Sequence, residues 1–208
     1  EPNIITKKFS YRFVKRFLDI AFAILLIIIL LPFLVVISLL IALFDGLPIY
    51  YSWRVHGFKG KEFIGYKFRT MNRYADREKD QLKHMNEMSG PVFKISNDPR
   101  ITKFGSFLRK FSLDELPQLY SVLKGDMSFV GPRPAGFNEY PEYQEWQYRK
   151  LSVKPGISCL WQVEGRNDID SFEEWVKLDL KYIDNWSLFL DTKIFFKTII
   201  VVLKGTGK

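Results

Sequence analysis

The sequence predicts an α+β fold, mainly helical, in which an apolar membrane helix precedes a small globular part. Three observations predict it. Residues 20–44 carry no charged side chain. Residues 45–71 set aromatics between glycines, the punctuation of short strands and loops. Residues 172–184 and 188–204 space their apolar positions at helical period. A chain of 208 residues has room for a membrane segment and one domain with a real core.

At 1.5 Å per residue the apolar run is long enough to cross a bilayer. Pro32, near its middle, lacks the amide a helix interior needs and clashes with the preceding turn, so a kink is expected there. Lys7, Lys8, Arg12, Lys15 and Arg16 precede the run, and Arg54, Lys59 and Lys61 follow it. Basic residues on both sides give no clear inside and outside. A helix that dips into one leaflet and returns keeps both flanks at one anionic surface. On these residues alone, spanning and re-entrant helices are both open.

Further along, residues 72–89 are polar and read as a solvated helix or loop without assigned chemistry. Residues 98–110, DPRITKFGSFLRK, set Lys103, Arg109 and Lys110 between apolar residues, as in an amphipathic element lying on a membrane surface. Residues 138–150 are aromatic and charged, and the helix over 188–204 suits either a core or an interface.

The chain has 31 Lys and Arg against 23 Asp and Glu, a formal charge of +8, which points to anionic partners. One cysteine, Cys159, permits no internal disulfide, and His56 and His84 are too few for a zinc cluster. A first residue of Glu rather than Met leads us to expect further protein before it. The apolar run is too long for a signal-peptide core and no small-residue cleavage site follows.

Residues 111–118, FSLDELPQ, contain two adjacent acids. Ser112 and Glu115 match the S-x-x-E capping box, which accounts for one acid but not for Asp114. Free amides at a helix start would also draw a phosphate. The chain has no G-x-S-x-G, G-x-G-x-x-G or Walker loop. Phosphate chemistry here would therefore need a carboxylate as nucleophile or base, with arginines or a metal to hold the charge. Arg109, Arg133 and Arg166 are candidate holders, because a guanidinium fork matches phosphate oxygens.

In order, KRFLDI, the apolar run with its proline, GYKFRTM, DPRITKFGSFLRKFSLDELPQLYSVLKGDMSFVGPRP, KPGISCLWQVEGRN and NWSLFLDTKIFFKT cover the chain from about residue 12 onward. Together they resemble the monotopic polyprenyl-phosphate phosphoglycosyl transferases, the bacterial sugar transferase family. The resemblance implies a monotopic protein with a kinked re-entrant helix broken at Pro32 (1–48) and a cytoplasmic catalytic domain with interfacial helices (49–208). It implies transfer of a hexose-1-phosphate from a nucleotide-diphosphate sugar, UDP-hexose by likeness to longer members, to undecaprenyl phosphate at the inner membrane. Asp114 would be the nucleophile, Glu115 would hold Mg2+, and Lys67 would sit beside the aspartate. Arg109, Arg133 and Arg166 would surround the phosphates. Expected partners are the nucleotide sugar, undecaprenyl phosphate and the lipid bilayer, with homo-oligomer formation open.

Two positions depart from the family pattern. Leu31 replaces the serine that often precedes the helix-breaking proline, and Ser158-Cys159 replaces Thr-Gly before LWQV. A catalytically silent, membrane-attached nucleotide-binding module is the competing class. A nucleic-acid binder would leave the apolar run and the acid pair without a role, so no nucleic acid partner is expected.

Overall fold

The apolar run folds as the C-terminal part of one long helix, α1 (Phe9–Phe44), which carries Pro32 in its interior. The computed structural model describes residues 9–165 and 169–207. Pro32 has no N–H to offer the Ile28 carbonyl. The run's one hydroxyl, on Ser38, bonds to Leu34 instead (2.8 Å).

Both ends of α1 are fastened to the globular part. Near its start, Lys15 Nζ donates to the Val130 carbonyl (3.0 Å) and to Asp191 (2.5 Å). Arg16 donates to the carbonyls of Val122 and Leu123. Asp19 accepts from Ser128 Oγ (3.0 Å) and the Phe129 amide (3.1 Å). Ala23 then packs with Val55, Phe63, Val122 and Met127. Near its end, Ile37 and Ile41 pack with Phe68 and Leu108. Between them no residue of 24–36 is buried. A core helix of a soluble protein would be mostly buried, whereas only 11% of the most apolar window of α1 is.

The glycine and aromatic segment forms β1 (Tyr50–His56) and β2 (Glu62–Phe68), antiparallel, with Tyr51 opposite Lys67 and Trp53 opposite Gly65. Short helix α2 (Ala75–Glu78) and a 3-10 turn over Asp80–Met85 occupy the polar segment. Next come α3 (Lys103–Lys110), α4 (Gln118–Lys124), β3 (Ser128–Val130) and β4 (Ala135–Gly136). β4 adds to the free edge of β1, giving the order β2-β1-β4. β5 (Gly156–Ser158) runs parallel to β3, and α5 (Leu160–Glu164) leaves from it.

α6 (Phe172–Asp184) and α7 (Leu188–Lys204) coincide with the two helical segments predicted at the C-terminus. Ser171 and Ser187 cap them through side-chain oxygens, accepting from the amides of Glu174 and Leu190. Trp161 stacks on Trp175 at 4.3 Å in the main core, where Lys150 and Asp179 form an ion pair (3.0 Å), each about 1% exposed. On α7, Ile194 enters the core while Phe189, Phe196, Ile200 and Leu203 remain exposed, so this helix serves both core and surface.

Candidate active site

Lys67 lies one residue from the end of β2. Gly65, two residues earlier, lets the Trp53 indole lie across the strand, since a Cβ there would stand 2.9 Å from the ring. The Lys67 ammonium is 5.3 Å from that ring, a cation–π distance. It donates to Glu115 Oε1 at 2.7 Å. Sequence positions 48 residues apart are thus joined at one ion pair.

The acids do not occupy the predicted capping box. Leu113–Glu115 form a 3-10 turn, and α4 begins only at Gln118. Ser112 makes no side-chain cap, and its carbonyl, not its hydroxyl, accepts from the Glu115 amide (3.2 Å). Ser112 sits in the left-handed region (φ 53°), which costs a non-glycine residue on the order of 1 kcal/mol. That reversal after α3 folds the turn back onto β2 and leaves Asp114 7% exposed. The anchoring of Glu115 is therefore tertiary, through Lys67, and not a local cap.

Arg109 comes from the last turn of α3. Gly105 lets that helix press against the strand end, because a Cβ there would fall 2.0 Å from the Thr70 carbonyl. Across this contact Arg109 Nε donates to Thr70 Oγ1 (2.8 Å). Burial pushes the Arg109 guanidinium down, and Asp114 is the foremost charge opposing it. Arg133, in the Gly-Pro-Arg-Pro turn after β3, forks onto both oxygens of Glu139 at 2.8 and 3.0 Å and lies 5.6 Å from the Trp175 ring. Burial pushes Arg133 down, but the Glu139 carboxylate outweighs it and the net shift is upward. The candidate phosphate holder of the sequence is thus already held by a carboxylate of its own chain.

Lys67, Arg109, Asp114, Glu115 and Arg133 all line one cleft of about 1060 Å³. Nine basic and four acidic residues line it, so it suits an anionic ligand. Cys159 lines it too, but burial pushes its thiol well above the usual value, which leaves little thiolate for chemistry. Arg166 lies outside the described residues, and Pro32 is in α1, away from the cleft lining. Among the described residues no three His, Cys, Asp or Glu side chains cluster to hold a metal. Two adjacent carboxylates facing a cleft still fit Mg2+, which keeps one or two protein carboxylates and completes its shell with phosphate oxygens and water.

Thr70 and Glu139 are the residues that sequence reading passes over. Thr70 lies within the GYKFRTM stretch already singled out, three residues after Lys67. Glu139 has no local signal, because its partner stands across a turn in which proline and glycine set the path.

The sequence profile of the family described as bacterial sugar transferase matches residues 10–205. The galactosyl transferase CpsE of Streptococcus agalactiae serotype III is 50% identical over 207 residues, covering 96% of this chain and 44% of its own length. The UDP-galactose-lipid carrier transferase of Erwinia amylovora is 44% identical over 204 residues, covering 96% of this chain and 42% of its own. The undecaprenyl-phosphate galactose phosphotransferase of Salmonella typhimurium is 43% identical over 209 residues, covering 99% of this chain and 43% of its own. The chain thus spans less than half the length of these three relatives.

Proposed function

The chain belongs to the bacterial sugar transferase family, and from that premise we propose that it moves a hexose-1-phosphate from a UDP-hexose to undecaprenyl phosphate through a covalent intermediate on Asp114. The observation that carries this reading is the convergence of a buried Asp114, the Glu115–Lys67 pair and two arginines on one basic cleft. Hexose and carrier follow the relatives, one named a UDP-galactose-lipid carrier transferase and another an undecaprenyl-phosphate galactose phosphotransferase.

Donor and acceptor are both anions, so bringing them together directly would oppose two like charges. A covalent route divides the work. One Asp114 carboxylate oxygen bonds to the sugar-bearing phosphorus while the bond to the nucleoside monophosphate breaks. An oxygen of the lipid phosphate then attacks the same phosphorus, and the carboxylate leaves with its electron pair. Arg109, held by Thr70, and Arg133, held by Glu139, stabilise the equatorial phosphate charge from fixed positions. Lys67 orients Glu115. Glu115 would hold Mg2+, which when bound offsets the charge of the donor diphosphate.

The same reading makes α1 re-entrant and puts the cleft at the cytoplasmic face of the inner membrane. Support comes from its anchors. Residues 15–23 and 37–45 both bond to or pack on one folded body, and the stretch between them holds no fully buried residue.

The test uses donor and enzyme without lipid. Up to one equivalent of nucleoside monophosphate is expected, with a sugar-phosphate mass on the peptide containing Asp114 that hydroxylamine removes. Asp114→Asn should abolish both. Strictly lipid-dependent release with no adduct would refute the covalent step and leave Asp114 as a base.

A further inference from the structure

Arg69, two residues beyond Lys67, is 6% exposed and lines the same cleft. Its Nη2 donates to the carbonyls of Asp45 (2.6 Å) and Gly46 (2.5 Å), just past the end of α1. That contact resembles a helix C-terminal clamp and explains one nitrogen. Nε and Nη1 are buried with no partner among the described residues. Buried, unpaired donors on a charged group are costly and call for an explanation.

A second guanidinium converges on the same spot. Arg73 packs over Gly46, where an added Cβ would fall 2.6 Å from Arg73 Nη2. Arg69 is thereby pushed below its usual value, first by burial and then by the Arg73 charge. The Asp45 carboxylate, which acts on Arg69 through space, accepts a hydrogen bond from Thr102 Oγ1 (2.9 Å). Two like charges gathered around one glycine, with donors to spare, suit an anion between them.

Position says which anion. Arg69 and Arg73 share the cleft wall with Leu47 and Pro48. Leu43, Phe44 and Leu47, at the end of the apolar helix, are 62–74% exposed. A ligand whose phosphate sits here can leave its hydrocarbon on the apolar side. Toward the acids, Lys67 stands two residues away, roughly 7 Å along the extended chain.

We propose that Arg69 and Arg73 form a phosphate-monoester subsite at the membrane end of the cleft, which seats the headgroup of the lipid acceptor and aims it at Asp114. The inference rests on the transfer reading above. Nη2 of Arg69 keeps the strand tied to the end of α1, and the remaining donors face the phosphate. Arg73, exposed and outside the core, adds the second charge.

The test measures steady-state KM for undecaprenyl phosphate and for the nucleotide sugar separately, with the whole chain in neutral detergent. Arg73→Gln removes one charged donor without touching the core. Arg69→Lys keeps a donor for the helix end and loses the fork. Each is expected to raise acceptor KM by about tenfold, the loss of one charge-assisted hydrogen bond, and to move donor KM by less than about twofold. A short prenyl phosphate should compete with the acceptor in an Arg73-dependent way, while inorganic phosphate and phosphatidylglycerol should compete poorly. An unchanged acceptor KM in a normally melting Arg73→Gln protein overturns the subsite. Parallel rises in both KM values assign the arginines to the donor instead, and equal competition by inorganic phosphate or phosphatidylglycerol makes them a general anion or bilayer contact. Turnover with Arg73-independent acceptor KM would sink the subsite alone. Arg73-dependent prenyl phosphate binding by a chain without turnover would sink the transfer reading alone.

Discussion

Truncating Arg133 to alanine leaves Glu139 as a buried carboxylate with its fork gone, facing the Gly136 amide that still donates to it at 3.0 Å. Breaking one side of a fully buried pair costs about 3–5 kcal/mol. Here the Arg133 side chain keeps 29% exposure and Glu139 14%, so water screening lowers the expected cost to about 2–3 kcal/mol. For a domain of this size that corresponds to a melting point lower by roughly 5–10 °C. Reading from sequence alone, one expects the same substitution to lower turnover and stay within about 1 kcal/mol in stability; the Glu139 fork changes that expectation. The assay compares thermal unfolding of Arg133→Ala, Glu139→Gln and the double variant Arg133→Met/Glu139→Met in one detergent. Each single change should lower the melting point, and the double variant should recover most of the loss because no uncompensated charge remains buried. Singles that melt like the parent, or a double variant no better than the worse single, would refute the argument that the pair carries the effect.

The same pair predicts a pH dependence. Burial pushes Glu139 up but Arg133 pulls it lower overall, so its contribution is present above the unfolded glutamate value of about 4.3 and is lost as pH falls through the lower folded value. The melting point should drop in that acid window, and Glu139→Gln should flatten the drop. Gly105→Ala drives a methyl to 2.0 Å from the Thr70 carbonyl and should cost about 1–3 kcal/mol while loosening Arg109, seen as a lower melting point with reduced turnover. For topology, single cysteines near residue 10 and near residue 50, in a background lacking Cys159, should react with an impermeant thiol reagent from the same side of sealed vesicles; opposite sides would restore a spanning α1.

The sequence by itself determined those elements whose stabilising pattern is local. The apolar run declares its environment through composition over 25 residues, and α6 and α7 declare themselves through helical period, so both match their predicted ranges. Gly65 and the aromatics around it likewise announce strands, and β1 and β2 follow. The acid pair stood out by its neighbours, but its local explanation did not survive: the S-x-x-E spacing fits a cap, while the left-handed Ser112 and the pull of Lys67 turn the segment into a 3-10 turn.

Only the tertiary structure decided which charges meet. Lys67 finds Glu115 across 48 positions, Arg109 finds Thr70 across 39, and Arg69 reaches the end of α1 across 24. The Arg109 pairing depends on the close approach of α3 to Thr70 at Gly105, where backbone occupies the space of a missing Cβ, and at Gly46 the Arg73 guanidinium does the same. Spacing along a chain encodes helix faces and strand alternation, because those repeat every few residues. It does not encode the partner of a long, charged side chain, since that choice is made by packing between elements and by the cost of burying a charge alone.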